Sequence, residues 1–178
     1  CARMQGLSLR NVAVKLVNQK KKVVYEDFGE LLFTHFGLSG PTILSASAHM
    51  KAGDTYQIQI DLKPALDEGK LNDRLLRDLE TYKNRSMENA LTDLLPRSMI
   101  PVVLDMLSID PQLQANSLRK DQRRDLVNLL KNYPVPILGK RPVNEAIITS
   151  GGIKVSEINP RTMESKLVSG LFFSGEIL

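Results

Sequence analysis

The first third of the chain alternates apolar and polar residues. Residues 7–17 place an apolar side chain at nearly every second position, and residues 55–62 repeat this pattern. Shorter segments at 23–26 and 29–34 have the same character. Side chains on a strand point alternately to its two faces, so the alternation predicts strands with one buried and one exposed face. We therefore expect a mostly antiparallel β unit in this part.

The middle of the chain changes to helical spacing between residues 70 and 131. Apolar residues recur there every three or four positions, as expected for short helices that each bury one face. Prolines at 96 and 111 interrupt the pattern, because proline cannot continue a helix, and the last helix is expected to end near Asn132. Such stripes are packing surfaces rather than cofactor contacts. The three stripes consist of Leu71, Leu75, Leu76 and Leu79; of Met99, Val102, Val103, Met106 and Leu107; and of Leu118, Leu126, Leu129 and Leu130.

Strand-like composition returns at residues 135–139 and 146–149, and residues 154–158 alternate again. The order is thus β, then α, then β. The simplest architecture is an α+β fold in which a β-barrel-like antiparallel domain, built from residues 1–66 and 134–178, carries a helical subdomain inserted at 67–133.

Composition favours a folded protein without a membrane segment. The chain has 178 residues, of which 42% are hydrophobic and 25% charged. No apolar run approaches the roughly 20 residues that a membrane span needs, and no secretory signal precedes the first strand. We therefore expect a cytoplasmic protein. Cys1 is the single cysteine, so no internal disulfide can form.

The net charge of +4 is too small to define a partner. Basic residues cluster at Lys20, Lys21 and Lys22, where a hairpin turn is predicted, and between Arg119 and Arg124. Nucleic-acid sites usually combine positive charge with aromatic side chains, and aromatic residues make up only 5% of this chain. Both clusters are expected to be solvated surface, and nucleic acid is not an expected partner.

A first candidate site lies between the strand at 29–34 and a helix predicted to start at Pro41. The segment from Thr34 to Pro41, with Gly37, Ser39 and Gly40 before the helix N-terminus, can present several backbone N–H donors to a carbonyl or an anion. His35 could point into a cleft and transfer a proton near neutral pH, which makes it the candidate catalytic residue. A tight strand-to-helix connection explains the same pattern without any ligand.

A second candidate site lies at Thr149, Gly151 and Gly152. Paired glycines permit a positive φ or close approach of a ligand to the backbone, although a hairpin turn would use them equally well. His35 and His49 have no carboxylate or cysteine at ligand spacing, so no metal site is predicted.

Four motifs in a fixed order are more specific than any one of them. Residues 29–41, 149–153, 162–166 and 170–176 together resemble the YhiN/BaiN-like family of FAD-dependent oxidoreductases. The resemblance implies a Rossmann-type FAD domain split by an insertion that has a β-barrel-like part and a helical part. It also implies that two turns face the flavin and substrate cleft, with Thr34, Gly37, Ser39 and Gly40 in the first and Thr149, Gly151 and Gly152 in the second as candidate cofactor-binding residues. Gly175 and Glu176 would stand where the chain returns to the flavin domain, next to the cofactor.

The resemblance implies a contributing part rather than a complete enzyme. The Gly-x-Gly-x-x-Gly fingerprint that holds the FAD pyrophosphate is absent, so the chain alone is not expected to retain FAD. The first residue is not Met and the last segment is apolar, so we expect a longer parent chain. The predicted function is a substrate or lid insert of a flavoprotein that transfers hydride between flavin and a small-molecule substrate or nicotinamide, with the remainder of the same chain as its partner.

Two other functions remain open at this point. Small β-barrels with basic loops also occur as non-enzymatic modules that bind RNA or protein. Alternatively, the helices at 70–131 could dock a partner protein or a second copy of the chain through an exposed apolar patch.

Overall fold

The computed structural model describes residues 1–51, 53–146, 151–175 and 177. These residues form two compact units, Cys1–Gly139 and Lys140–Leu178. The strands of the first unit are β1 (Ser8–Asn18), β2 (Val23–Phe33), β3 (Leu38–Ser39), β4 (Tyr56–Asp61) and β5 (Tyr133–Ile137). Its α-helices are α1 (Pro41–Ala48), α2 (Glu68–Thr81), α3 (Met87–Ala90), α4 (Ile100–Met106) and α5 (Lys120–Lys131).

The five strands form one antiparallel sheet in the order β3-β2-β1-β4-β5. The two segments predicted at 23–26 and 29–34 join into the single strand β2, which pairs with β1 as a long hairpin. β5 is an edge strand, and this position suits Pro134 and Pro136 because proline has no N–H to donate to a neighbouring strand. The predicted α+β class with a β-barrel-like antiparallel part is confirmed.

Helix α1 packs closely on β2. The Thr42 hydroxyl donates to the Glu30 carbonyl over 2.9 Å, and a β-carbon at Gly29 would lie only 3.1 Å from the Thr42 methyl group. At the other end of α1, the His49 ring stacks on Tyr25 with the ring centroids 4.4 Å apart. The predicted helix start at Pro41 is confirmed, with Gly40 as the N-cap residue and His49 as the C-cap.

The helices between β4 and β5 follow the predicted stripes. In α2 the side chains of Leu71, Leu75 and Leu79 are buried, whereas Leu76 is 41% exposed. Helix α5 ends at Lys131 with Asn132 as its C-cap, as predicted, and Leu118 lies just before its start. Asp67 caps α2, because its carboxylate accepts the Lys70 N–H over 2.7 Å.

The sheet and the helices share one hydrophobic core. Its fully buried members come from both parts of the first unit, including Leu16, Phe33 and Ile60 from strands and Leu75 and Leu126 from helices. Strand β5 follows α5 directly and pairs with β4. The helices of residues 68–131 are therefore inserted between two neighbouring strands of the sheet.

The second unit contains little regular structure in its described part. It has two short 3-10 helices, Val143–Glu145 and Val155–Glu157. The predicted strand at 154–158 is therefore wrong, because Glu157 N–H bonds to the Lys154 carbonyl and closes a turn. In the apolar segment at the end of the chain, the described residues 170–175 form one isolated bridge, between Phe172 and Glu164, and no named strand. Short alternation without a pairing neighbour does not specify a strand.

Candidate functional site

The turn that follows β2 is closed by its own hydrogen bonds. The Thr34 N–H donates to the Gly37 carbonyl over 2.8 Å, and the Gly37 N–H donates to the Thr34 hydroxyl oxygen over 3.1 Å. The same hydroxyl lies 3.1 Å from the Gly37 carbonyl, to which it donates. The polar groups of Thr34 are therefore already used inside the turn, and its hydroxyl is held in a fixed position.

The tip of this turn presents two exposed rings. His35 is exposed, and its ring meets that of Phe36 edge to face, with centroids 5.0 Å apart and an interplanar angle of 83°. Phe36 is 46% exposed. No hydrogen bond of the His35 ring occurs within the described part of the chain. Any proton transfer by His35 would require a substrate or another part of the protein to cover this tip.

Ser39 and Gly40 connect the turn to α1. Ser39 pairs with Leu32 in the sheet, and Gly40 has a φ of 97°. A β-carbon on Gly40 would lie 3.1 Å from both the Glu30 carbonyl oxygen and the Leu32 nitrogen. The small size of Gly40 is thus needed for backbone packing against β2, which is a sufficient reason for glycine at this position.

The second glycine pair lies in the second unit. Gly152 has a φ of 133°, and a β-carbon there would lie 2.3 Å from the Ile177 carbonyl oxygen, which accepts the Ile153 N–H over 2.9 Å. Gly152 therefore permits close approach of the chain's own backbone. Gly151 and Gly175 have positive φ, with open space where a β-carbon would stand. Thr149 and Glu176 lie outside the described residues.

The segment between Asn159 and Lys166 forms a local turn. Asn159 accepts the Arg161 N–H on its side chain, and Glu164 accepts the Gly170 N–H over 2.7 Å. The Lys166 ammonium donates to the Ser156 carbonyl over 2.8 Å. Glu164 and Lys166 thus bind separate backbone groups and shape the loop rather than pairing with each other.

Sequence reasoning missed a polar groove on the sheet. The Lys131 ammonium lies 2.6 Å from the Asp61 carboxylate, and it also donates to the Lys63 and Leu66 carbonyls over 3.1 and 2.6 Å. This pair joins the end of α5 to the end of β4 across 70 residues of sequence, so no local pattern could reveal it. Burial, together with the nearby Arg74 charge, lowers the pKa of Lys63. The groove has a volume of about 180 Å³ and is lined by Ala13, Lys15, Glu26, Gln59, Asp61, Glu68, Lys131 and Asn132.

Both lysines of this groove have oxygen partners on neighbouring residues. Lys131 has three acceptors, and Lys15 lies 3.4 Å from the Glu26 carboxylate. The groove therefore serves to fasten the helical part to the sheet. Among the described residues, no group of three or more His, Cys, Asp or Glu side chains could hold a metal ion.

The described candidate cofactor residues are partly engaged by the chain's own backbone. The Thr34 N–H, the Thr34 hydroxyl and the Gly37 N–H donate to acceptors within their own turn, and backbone atoms occupy the space beside Gly40 and Gly152. A dinucleotide needs several free backbone N–H groups at a helix N-terminus for its pyrophosphate. The candidate cofactor residues fall into both compact units, with Thr34, Gly37, Ser39 and Gly40 in the first and Gly151, Gly152 and Gly175 in the second.

The antiparallel sheet and the helices of the first unit define a barrel-and-helix domain. The chain belongs to the HI0933-like family. The family model for the HI0933-like protein barrel and H2TH domain matches residues 1–148. This match confirms the resemblance to the YhiN/BaiN-like family of FAD-dependent oxidoreductases. No helix among the described residues is both long and apolar enough to cross a membrane.

Three characterised proteins are similar to the chain. The ribosomal RNA dihydrouridine synthase of Escherichia coli K12 is 31% identical over 171 residues, or 96% of this chain and 41% of that protein. The protein of the same name from Haemophilus influenzae is 28% identical over 151 residues, or 85% of this chain and 36% of its own length. The 3-dehydro-bile acid delta(4,6)-reductase of Clostridium scindens is 26% identical over 162 residues, or 89% and 40%. The chain thus spans about two fifths of each relative.

Proposed function

We propose that this chain forms the substrate-side insert of a cytoplasmic FAD-dependent reductase and is not catalytically complete alone. The observation that carries the proposal is the extent of the similarity. The barrel-and-helix family model covers residues 1–148, while the chain spans only 36–41% of its three relatives. The rest of the intact protein would then hold FAD.

The reaction class follows from the relatives' names. A delta(4,6)-reductase and a dihydrouridine synthase both add hydrogen across carbon–carbon double bonds of an unsaturated ring. We therefore propose reduction of an activated ring double bond, with a reduced nicotinamide as the source of electrons in the intact protein. The role of this chain is to position the ring and to exclude water from it.

The surface of the second unit supports a partner within the same polypeptide. Among its described residues only Ile158 is buried, whereas Val155, Leu167 and Phe172 are 68%, 72% and 59% exposed. Apolar surface of this kind marks an interaction face. We propose that the remainder of the flavoprotein covers it.

Within this class we propose ribosomal RNA as the substrate in preference to a steroid or another small molecule, which reverses the expectation from composition that nucleic acid is not a partner. Two of the three relatives carry the ribosomal RNA name, and one of them is the most identical of the three at 31%. The test incubates the intact protein and reduced nicotinamide with protein-free ribosomal RNA, followed by nucleoside mass spectrometry. Dihydrouridine is the expected product. Reduction of an unsaturated steroid ketone without any change in the RNA would reverse the preference.

The insert role has a direct spectroscopic test. The intact protein is expected to purify with bound flavin, and residues 1–178 alone are expected to show no flavin absorbance. Retention of FAD by residues 1–178 would contradict the proposal.

His35 is the residue for which we propose proton transfer, because its ring stands exposed at the tip of the turn after β2. In the intact protein His35→Ala should slow turnover of the bound substrate by about 100-fold, the lower range for loss of a general acid. His49→Ala is the matched control, since that ring stacks on Tyr25 instead. Equal rates for His35→Ala and the unmodified protein would remove His35 from the reaction.

A further inference from the structure

The β1–β2 hairpin end carries a group of unpaired positive charges. Lys20, Lys21 and Lys22 occupy the turn, and each is exposed. None of them has a carboxylate partner within the described residues. By contrast, exposed Lys70 and Lys83 each lie within 3.4 Å of a carboxylate.

The turn holds these lysines in a fixed backbone arrangement. The Asn18 side chain accepts both the Lys20 N–H and the Lys22 N–H at 3.0 Å, and the Lys21 N–H donates to the Asn18 carbonyl over 2.9 Å. Lys21 adopts a φ of 58° within this closed turn. Three ammonium groups are therefore presented from one ordered loop rather than from a flexible tail.

The tertiary structure adds a fourth lysine to this end of the sheet. Asn18 pairs with Tyr56 in the ladder between β1 and β4, and the Lys51 N–H donates to the Tyr56 hydroxyl over 3.0 Å. Lys51 is exposed, and the loop that follows it carries Asp54, whose carboxylate accepts the Tyr56 hydroxyl. We call this end of the sheet the basic end (Lys20, Lys21, Lys22 and Lys51).

The basic end lies too far from the His35 tip for one small substrate to contact both. The Thr34–Gly37 turn stands at the opposite end of β2, which is 11 residues long. At about 3.3 Å per residue the two ends lie roughly 35 Å apart. A ring substrate at the His35 tip could not reach the lysines, whereas a nucleic-acid backbone with a phosphate on every nucleotide could span both ends.

We infer that the basic end is an RNA-binding surface that contacts the phosphate backbone of the substrate at a distance from the reacting base. This inference rests on the proposed function, in which RNA is the substrate. The contact is electrostatic and independent of sequence, since lysine ammonium groups bind phosphates as point charges. Its energetic role is to hold a long substrate while the turn after β2 meets one base.

The experiment compares two triple variants of the intact protein that remove the same charge. Lys20→Gln, Lys21→Gln and Lys22→Gln together neutralise the turn. Lys70→Gln, Lys83→Gln and Lys120→Gln together neutralise three exposed lysines of the helical part. The probe is a fluorescently labelled single-stranded RNA oligonucleotide, with affinity measured by anisotropy over a range of salt concentrations.

The hairpin variant should bind RNA about 10-fold more weakly at low salt, and its slope of log affinity against log salt should fall by about 2, as three lost phosphate contacts predict. The helical variant should change either quantity far less. Lys51→Gln added to the hairpin variant should lower the affinity further. Equal losses in the two triple variants, or no RNA binding by the unmodified protein, would overturn the inference.

Measurements of bound flavin and of vesicle binding distinguish failure of this inference from failure of the proposed function. Bound flavin and its reduction by nicotinamide should be the same in every variant, because the lysines lie far from the turn after β2. A protein without flavin would defeat the proposed function, whatever the RNA result. If the hairpin variant loses binding to phosphatidylglycerol vesicles but keeps its affinity for RNA, the basic end is a membrane surface and the inference is wrong.

Discussion

The two compact units of this chain differ in how they are stabilised. Residues 1–139 carry a shared core in which side chains such as Leu16, Leu75 and Leu126 are fully buried. Residues 140–178 bury only Ile158 among those described and expose most of their large apolar side chains. A domain needs a core of its own to fold independently. The comparison shows that burial of apolar side chains stabilises the first unit, whereas the described part of the second unit has almost no core of its own.

The largest expected effect on stability comes from a substitution in the core of the first unit. Leu126→Ala removes a side chain with 0% exposure, so we expect a loss of about 2–5 kcal/mol in the free energy of unfolding from lost burial and the remaining cavity. Urea denaturation followed by circular dichroism measures it. Leu167→Ala, at 72% exposure in the second unit, is the control and should change stability by less than about 0.5 kcal/mol. A similar loss in both variants would show that the second unit has a core after all.

A smaller effect tests backbone packing at the candidate site. Gly40→Ala places a β-carbon against β2 at a φ of 97°, and we expect a loss of about 1–3 kcal/mol. Gly6→Ala is the matched control, because Gly6 also has a positive φ, of 83°, but open space around it. The difference between the two variants in urea denaturation isolates the cost of close approach. If both lose the same stability, the contact with Glu30 and Leu32 contributes nothing.

The smallest expected effect is on the pH dependence of stability, through a capping carboxylate of the first unit. The Lys70 backbone N–H lowers the pKa of Asp67 in the folded state. Its stabilising contribution is therefore fully present above the unfolded value of about 3.9 and is lost as pH falls through the folded pKa. Asp67→Ala should destabilise the chain at neutral pH, and the difference from the unmodified chain should disappear in strong acid. Thermal unfolding across this range measures it, with Asp73→Ala as a control of equal charge on the same helix. A difference that persists at low pH would contradict this origin.

Part of the candidate site was predictable from sequence because its signals are local. Glycine, serine and proline in succession predicted the helix at Pro41, and its start there is confirmed. The roles of these residues depend on tertiary contacts, which a local sequence pattern does not contain. Gly40 permits the close approach of Glu30 and Leu32 of β2, and Gly152 permits that of Ile177, so backbone packing explains both glycines without a ligand. The proposed contacts with cofactor stay predictions.

The sequence by itself determined the first unit's strands and helices, because alternation and helical spacing state which face of each element is apolar. It also determined the family, through four motifs in order. Tertiary structure alone decided which distant residues meet: Lys131 with Asp61, and Asn18 of the hairpin with Tyr56 of β4. It also decided that 154–158 turns instead of extending. The physical reason is that periodicity describes one element, whereas ion pairs, charge clusters and strand pairing depend on neighbours far away in the chain.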